Sequence, residues 1–496
     1  MIALVEKIKS LVKVADSRRA SPFASPKTSQ RWLQKLPDSS DYDAHHALVE
    51  GLERYNGDMR GDAYKRVKAL EVIEEAGLPL QDRLVAQYLE GHGGSDAFRQ
   101  TLWRECHLFW DQLAVAYVHF LNLALKHEKD SGKLASIYTR IVAKSMRYSS
   151  LTMRWEYLRG RRPSESAWRR LHKIYRAAEN AEVAFSEVTL GAGTSTCARE
   201  YVMTLLYDLA NPYAFAPAEI ELALQTLDSL KKLPVPESGL RHGRHSHMVD
   251  LSGSTGPERI DERWVPGGRL RYLDMRGVIG ELEALAGGEG DILRSAVYKK
   301  LSRVIGREGT SRGGLRKPRF GDVRAVFGID AILKTYAPPH GVVPNTKFIT
   351  LRDESSKGMG FALDDEPDLE PGSLLAVDRE EGEGAWQLLA VRWAANEDGQ
   401  WQLGTEVLSK YPKRVEIEWQ IDSGKQSAVA LFLPLASASQ GGTSNLLVPP
   451  AAYECGRELV LKQDDGTIYR LRLGGIAETH ESWPRVGFDV LSRVAA

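Results

Sequence analysis

The sequence predicts a multidomain α + β protein, with an all-helical N-terminal part followed by two small antiparallel six-stranded β-barrels. Three observations carry that expectation. From about Tyr64 to Lys232 apolar residues recur at intervals of three and four, the spacing of a buried helix face. Beyond Val323 the apolar period drops to two, in short runs separated by turn residues. This second pattern then occurs twice, with Gly372 and Gly456 as equivalent points 84 residues apart.

A chain of 496 residues exceeds one ordinary core, so several domains are expected. Lys plus Arg total 66 and so do Asp plus Glu, which removes any global field toward nucleic acid or an anionic membrane. Anion binding must then come from local clusters. Cys106, Cys197 and Cys455 are widely spaced and odd in number, a pattern that fits neither a disulfide framework nor a zinc module and suits a reducing cytoplasm. Met1 to Val14 interleaves apolar residues with Lys7, Lys9 and Lys13, unlike a signal peptide. The most apolar stretch, Leu113 to Leu125, contains His119 and Asn122 and reads as a buried helix, well short of the roughly 20 residues a membrane span needs.

Along the chain, residues 1–60 look loosely ordered, with Ser21-Pro22, Ser25-Pro26 and Pro37 to Asp43, although Leu48 to Tyr55 has helical character. An all-helical domain is expected over 61–235, built from antiparallel helices. Its periodic runs include Val67-Leu70-Ile73, Trp103-Leu108-Trp110-Leu113 and Trp168-Leu171-Ile174-Tyr175. Breaks are expected at Gly77-Leu78-Pro79, Gly160 to Pro163, Asn211-Pro212 and Ala216-Pro217. Residues 236–305 read as an irregular and helical connector subdomain. It has short β-like runs at Met248 to Leu251 and Leu270 to Leu273, then helical spacing in Val278 to Leu285 and Ile292 to Ile305. Arg303 to Arg324 is basic and glycine-containing and reads as a flexible connector.

The first barrel is expected within 306–412. Its strands are Val323 to Tyr336, Lys347 to Leu351, Gly360 to Leu363, Ser373 to Val377, Trp386 to Trp393 and Trp401 to Leu408, with Asp398-Gly399 as a hairpin signal. The second occupies 413–496 and repeats the rhythm. Leu403 to Ser409 corresponds to Val486 to Ser492, and the shift that relates the copies carries Asp353, Ser355 and Gly358 onto Ser437, Ser439 and Gly442. The second copy therefore lacks the acid.

The chemistry concentrates around the first barrel. Asp353-Glu354-Ser355-Ser356-Lys357-Gly358 reads as a polar turn between two strands, where side chains face a ligand without disturbing the core. Upstream lies Arg312-Gly313-Gly314-Leu315-Arg316, followed by Arg319 and Arg324. Two arginines on a glycine-bearing linker present planar forks to phosphate oxygens or to the O6/N7 edge of guanine. A carboxylate at Asp353 accepts from guanine N1 and N2, Ser355 bonds phosphate or ribose, and Gly358 permits a positive φ and close approach. These groups suit a guanine nucleotide carrying two phosphates.

The pairing of R-x-x-x-R with D-x-S-x-x-G after the following barrel strands resembles the PilZ family of bacterial cyclic di-GMP receptors. The resemblance covers roughly residues 310 to 410, with a degenerate PilZ-like copy after it. It implies Arg312 and Arg316 as connector ligands and Asp353, Ser355 and Gly358 as the second half of the site. Arg319 and Arg324 lie nearer the first strand and are further candidates. The implied function is a cytoplasmic, non-catalytic second-messenger receptor with cyclic di-GMP as ligand and no cofactor, signalling to a protein partner through the helical domain. The alternatives are an interaction scaffold whose barrels bind no nucleotide, and a nucleic-acid-binding regulator.

Remaining motifs are bland by comparison. Arg241-His242-Gly243-Arg244-His245-Ser246-His247 lacks carboxylate or cysteine company and reads as a solvated polar loop, not a metal site. Asp250-Leu251-Ser252 with Gly256 imitates the nucleotide motif with one residue too many. The basic run Arg140 through Arg147, Arg154, Arg159, Arg161, Arg162, Arg169, Arg170 and Arg176 is interrupted by Glu156, Glu165 and Glu179 and reads as a solvated or partner-binding face. Trp155, Tyr157, Trp168 and Tyr175 read as core. No phosphate-cradling loop, zinc-hydrolase pair or nucleophile elbow is present.

Overall fold

A computed structural model describes residues 22–494 apart from 59, 91–95, 127–131, 192, 216, 261–267, 289, 307–316, 337–345, 356, 366–368, 370, 379–385, 398–399, 422–423, 435–443, 464–465 and 481. The chain forms two compact units. The first comprises the described residues of Met1–Trp155, Glu165–Leu205 and Leu233–Asp274, the second those of Glu156–Ser164, Leu206–Lys232 and Met275–Ala496. The stretch expected as one helical domain thus contributes to both.

The described part of the first unit opens with α1 (Pro26–Leu33) and α2 (Asp41–Gly57), so the described part of the segment expected to be loose is largely helical. Local chemistry explains this. Ser25 and Thr28 form a reciprocal capping box with Pro26 at the first helical position, and the Ser40 hydroxyl accepts from the Asp43 amide at 3.0 Å. Next, α3 (Ala63–Glu90) runs straight through Pro79, where a break was expected. Gly77 serves packing instead: a Cβ there would sit 2.8 Å from the Phe109 ring.

Two long helices follow, α4 (Asp96–Lys126) and, after the single turn α5 (Gly132–Ala135), α6 (Tyr138–Leu158). The apolar α4 is long enough to cross a membrane, well beyond the run read from sequence, but Trp103, Phe109, Leu113, Tyr117 and Phe120 bury one side of it. Trp103 and Trp155 tie α4 to α6, each indole N–H donating to the other's carbonyl at 3.0 and 2.8 Å. Glu74 of α3 is buried and accepts from Tyr117, Tyr148 and, at 2.7 Å, Lys144. Burial, then the Glu74 charge, holds both phenols well above their usual range, so they stay protonated donors. The unit continues through α7 (Glu165–Asn180), the hairpin β1 (Val188–Leu190) and β2 (Gly193–Ser195), and α8 (Cys197–Leu209), most of which belongs to it. It ends in a sheet of β4 (Glu258–Arg259), β3 (His247–Asp250) and β5 (Leu270–Leu273), in that order.

In the second unit α9 (Pro217–Ser229), α10 (Arg276–Gly288) and α11 (Ile292–Gly306) precede the barrels. The first barrel closes from β6 (Lys317–Phe327), β7 (Lys347–Glu354), β8 (Gly358–Leu363), β9 (Leu374–Asp378), β10 (Trp386–Glu397) and β11 (Gln400–Ser409). The expected strand Val323 to Tyr336 is corrected: β6 stops at Phe327, Gly328 turns the chain at φ 83°, and α12 (Ile329–Thr335) follows. Ile332 is fully buried between the barrels, beside Leu431, Leu447 and Trp483. The connector is also shorter than expected, because α11 reaches Gly306 and β6 begins at Lys317. Asp398-Gly399 lies outside the described residues, between the paired Glu397 and Gln400.

The second barrel has β12 (Lys413–Ile421), β13 (Gly424–Leu433), β14 (Asn445–Leu447), β15 (Glu458–Lys462), β16 (Ile468–His480) and β17 (Trp483–Val494). Around each barrel the strands run first, second, third, sixth, fifth, fourth. The repeat is visible in detail. Gly372 and Gly456 have φ of 91° and 83°, and each donates its amide to the fifth strand, to Val391 at 2.8 Å and Leu473 at 2.9 Å. Each barrel fills its interior with its own inward-facing residues, such as Val323, Leu351, Phe361 and Leu403 in the first. Arg392 and Glu478 join the two barrels as a buried ion pair.

Candidate functional site

Of the described candidates, Arg319, Asp353, Ser355 and Gly358 lie where β6, β7 and β8 meet. Lys317 pairs with Glu354 and Pro318 with Asp353, so the connector enters the barrel beside the D-x-S-x-x-G segment. Further along, Gly321 pairs with Leu351, leaving Arg319 and Phe320 opposite Arg352 alone. Two residues against one is a β-bulge, a device that re-aims side chains near sheet edges. Arg319 is largely exposed, and its Nε lies 2.9 Å from a Glu354 carboxylate oxygen.

Asp353 does not stand on a turn as expected. β7 continues through Glu354, and Asp353 pairs with Gly360. The turn is therefore shorter, and Ser355 closes it. Its hydroxyl lies 3.2 Å from the Gly358 carbonyl and accepts from the amides of Gly358 at 3.1 Å and Lys357 at 3.4 Å, while its own amide donates to the Gly358 carbonyl at 2.8 Å. Gly358 is required for a different reason from the positive φ expected. Its φ lies outside the left-handed region, but a Cβ would sit 2.3 Å from the Thr405 carbonyl oxygen. β8 and β11 are pressed together there.

Arg324 sits five residues further along β6, beside Phe348 and Asp378. It forms an ion pair with Asp378, whose side chain is fully buried, and lies over the Trp386 ring. The structure thus brings Arg319 to the Asp353–Gly358 end and takes Arg324 away from it. Arg312 and Arg316 lie outside the described residues, as do Ser437, Ser439 and Gly442.

The sequence reading missed an arm on the same barrel. Residues 160–162, between α6 and α7 in the chain, run beside β10. The Ala394 amide donates to the Gly160 carbonyl and the Arg162 amide to the Ala394 carbonyl, both at 3.0 Å. Gly160 has φ 61°, and a Cβ there would meet Pro371 at 2.4 Å. The Arg162 guanidinium stacks on Trp393, 3.9 Å from the ring centroid, and Arg161 lies over Trp401 at 5.3 Å. Trp393 in turn covers Gly404 of β11, where a Cβ would sit 2.0 Å from the indole nitrogen. Next to the arm, Tyr157 donates to Asp208 at 2.8 Å. Burial pushes the Asp208 carboxyl up to about 6, opposed by that bond and by the Arg162 charge. The sequence signal was a pair of arginines between Gly160 and Pro163, outside helical spacing.

Other charged features resolve structurally. In the basic run Arg140 pairs with Glu71 at 3.0 Å, Lys144 with Glu74 at 2.7 Å, Arg147 with Glu200 at 3.0 Å and Arg169 with Glu165 at 3.2 Å. Trp155, Tyr157, Trp168 and Tyr175 are buried. The histidine loop is less solvated than expected, for His245 and His247 are buried. His245 stacks on Tyr272, and burial lowers His247 to about 4. Asp250 caps its own loop through the Ser252 amide at 2.8 Å. The first unit holds a cavity of about 710 Å³ whose lining includes Glu71, Glu74, Glu75, Arg140, Lys144 and Glu187.

Residues 27–234, less than half of the chain, match the family described as the N-terminal domain of the cyclic-di-GMP receptor FimW. No curated protein matches the chain. One solved structure with similarity, described as "MrkH, A novel c-di-GMP dependence transcription regulatory factor", is 8% identical, with 35% of this chain and 77% of that one covered and a TM-score of 0.15.

Proposed function

We propose that this protein is a cyclic di-GMP receptor that acts by binding, with the first barrel as a PilZ-like sensor and the second as a companion without the ligand motif. The observation that carries the reading is the pairing of Pro318 with Asp353, which sets the entry of the arginine-bearing connector against the D-x-S-x-x-G segment. The FimW-type match over residues 27–234 supports it independently, from a part of the chain the motif does not include.

In this reading the Asp353 carboxylate accepts from the N1 and N2 edge of a guanine. Arg319, with Arg312 and Arg316 of the connector, presents planar forks to the phosphodiesters. Ser355 acts chiefly by holding the turn. Because the connector joins α11 to β6, drawing it onto the barrel alters the path of the chain between them, which a protein partner of the helical part would read. The nucleic-acid alternative is disfavoured by the pairing of Arg140, Lys144, Arg147 and Arg169 with Glu71, Glu74, Glu200 and Glu165.

Hydrogen exchange of the full chain with and without cyclic di-GMP tests the reading. Protection is expected at the start of β6 and from Asp353 to Met359. Protection confined to the second barrel or to α1–α8 would overturn it.

A further inference from the structure

We infer that Phe320, next to Arg319 at the β6 bulge, forms a base-stacking shelf for the purine of a cyclic dinucleotide. The inference rests on the proposed function and adds a contact that neither motif contains. Ile349 and Leu351 of β7 point into the barrel core, so strand alternation turns Arg352 outward. At the bulge Arg319 and Phe320 both stand opposite Arg352. Their exposure agrees with that placement. The Arg319 side chain is 59% exposed and Phe320 is 78% exposed, the highest value among the large apolar side chains of the described residues.

An aromatic ring held in water contributes little to the core, and the arginine next to it in the chain is held in place. Glu354 holds Arg319 at 2.9 Å, whereas Arg352 donates at 3.1 Å to Gln400 of β11, across β8 and away from β6, so Arg319 is the cation that serves the ring. A flat apolar face next to a planar donor fits a purine carrying phosphate: the base stacks on the ring and the Arg319 fork takes the phosphodiester. Stacking does not distinguish guanine from adenine, because both offer a π face. Selection falls to Asp353 at the next position of β7.

Calorimetric titration of the full chain with cyclic di-GMP and cyclic di-AMP separates these roles. Phe320→Ala and Phe320→Leu are expected to weaken cyclic di-GMP binding by roughly 5- to 150-fold, the range of one lost base stack, while Phe320→Trp stays within about threefold. None should lower the melting temperature, since the ring is exposed. Asp353→Ala, unlike Phe320→Ala, should collapse the preference for guanine. Phe320→Ala within about twofold of wild type, alongside a weakened Asp353→Ala, would overturn the shelf and leave the site standing. Wild-type protein that binds neither dinucleotide would overturn both.

Discussion

Pro318 of β6 stands directly opposite Asp353 of β7, and the bulge that follows lets Arg319 and Phe320 share the space opposite Arg352. This register separates the two arginines of β6 by task. Arg319 stays at the Asp353–Gly358 end, exposed and paired with Glu354, while Arg324 neutralises a buried carboxylate.

That separation has a direct consequence for substitution. Arg324→Ala removes the cation paired with the buried Asp378 carboxylate and should destabilise the second unit by on the order of 3 kcal/mol, read as a lower urea midpoint. Arg319→Ala removes a pair whose cation is solvent-exposed and should change stability by about 1 kcal/mol or less, while weakening cyclic di-GMP binding.

Gly358→Ala should cost about 1–3 kcal/mol, because the added methyl meets the Thr405 carbonyl and the β8–β11 ladder must shift. A thermal melt equal to wild type would show that β8 and β11 are not in close approach at this point.

The arm is testable apart from the ligand. Arg162→Ala removes the stack on Trp393, worth about 1 kcal/mol, so the Arg162-position and Ala394 amides should exchange faster. Arg162→Lys should retain part of the protection. Unchanged exchange in the alanine variant would mean that the backbone bonds alone hold the arm.

Asp208 gives the arm region a pH signature. Its folded pKa is raised from 3.8 to about 6, so the native state binds more protons than the unfolded chain between those values. The stabilisation tied to the protonated form is present below about pH 4 and is lost as pH rises through 6. Asp208→Asn keeps an acceptor for Tyr157 and should remove that slope, up to about 2–3 kcal/mol relative to wild type across the window. Parallel stability–pH curves for the two proteins would contradict this.

Much of the fold was legible because burial imposes its period on the sequence. The two barrels could be read from alternation and from Gly372 and Gly456, which the structure holds in the same backbone conformation and with the same kind of hydrogen bond. The misreadings have physical causes. Pro79 suggested a break, but packing on both sides keeps α3 continuous. Ile329, Ala331 and Leu333 satisfy alternation, whereas Ile332 fits only the helical spacing of three and four, and it is Ile332 that is buried between the barrels. Asp353 was assigned to a turn because a bulge shifts pairing without leaving a signature in alternation. The arm's arginines stood out between Gly160 and Pro163, but their partners, Trp393 and Trp401, are far away in sequence and cation–π pairs carry no spacing rule.

The central claim is tested most directly by titrating the full chain with cyclic di-GMP in a calorimeter, wild type against Asp353→Ala. Losing a charged acceptor for a guanine edge should weaken binding by about 10- to 150-fold with the fold intact. Equal affinities for the two proteins, or no heat from wild type at about 100 μM ligand, would contradict the account.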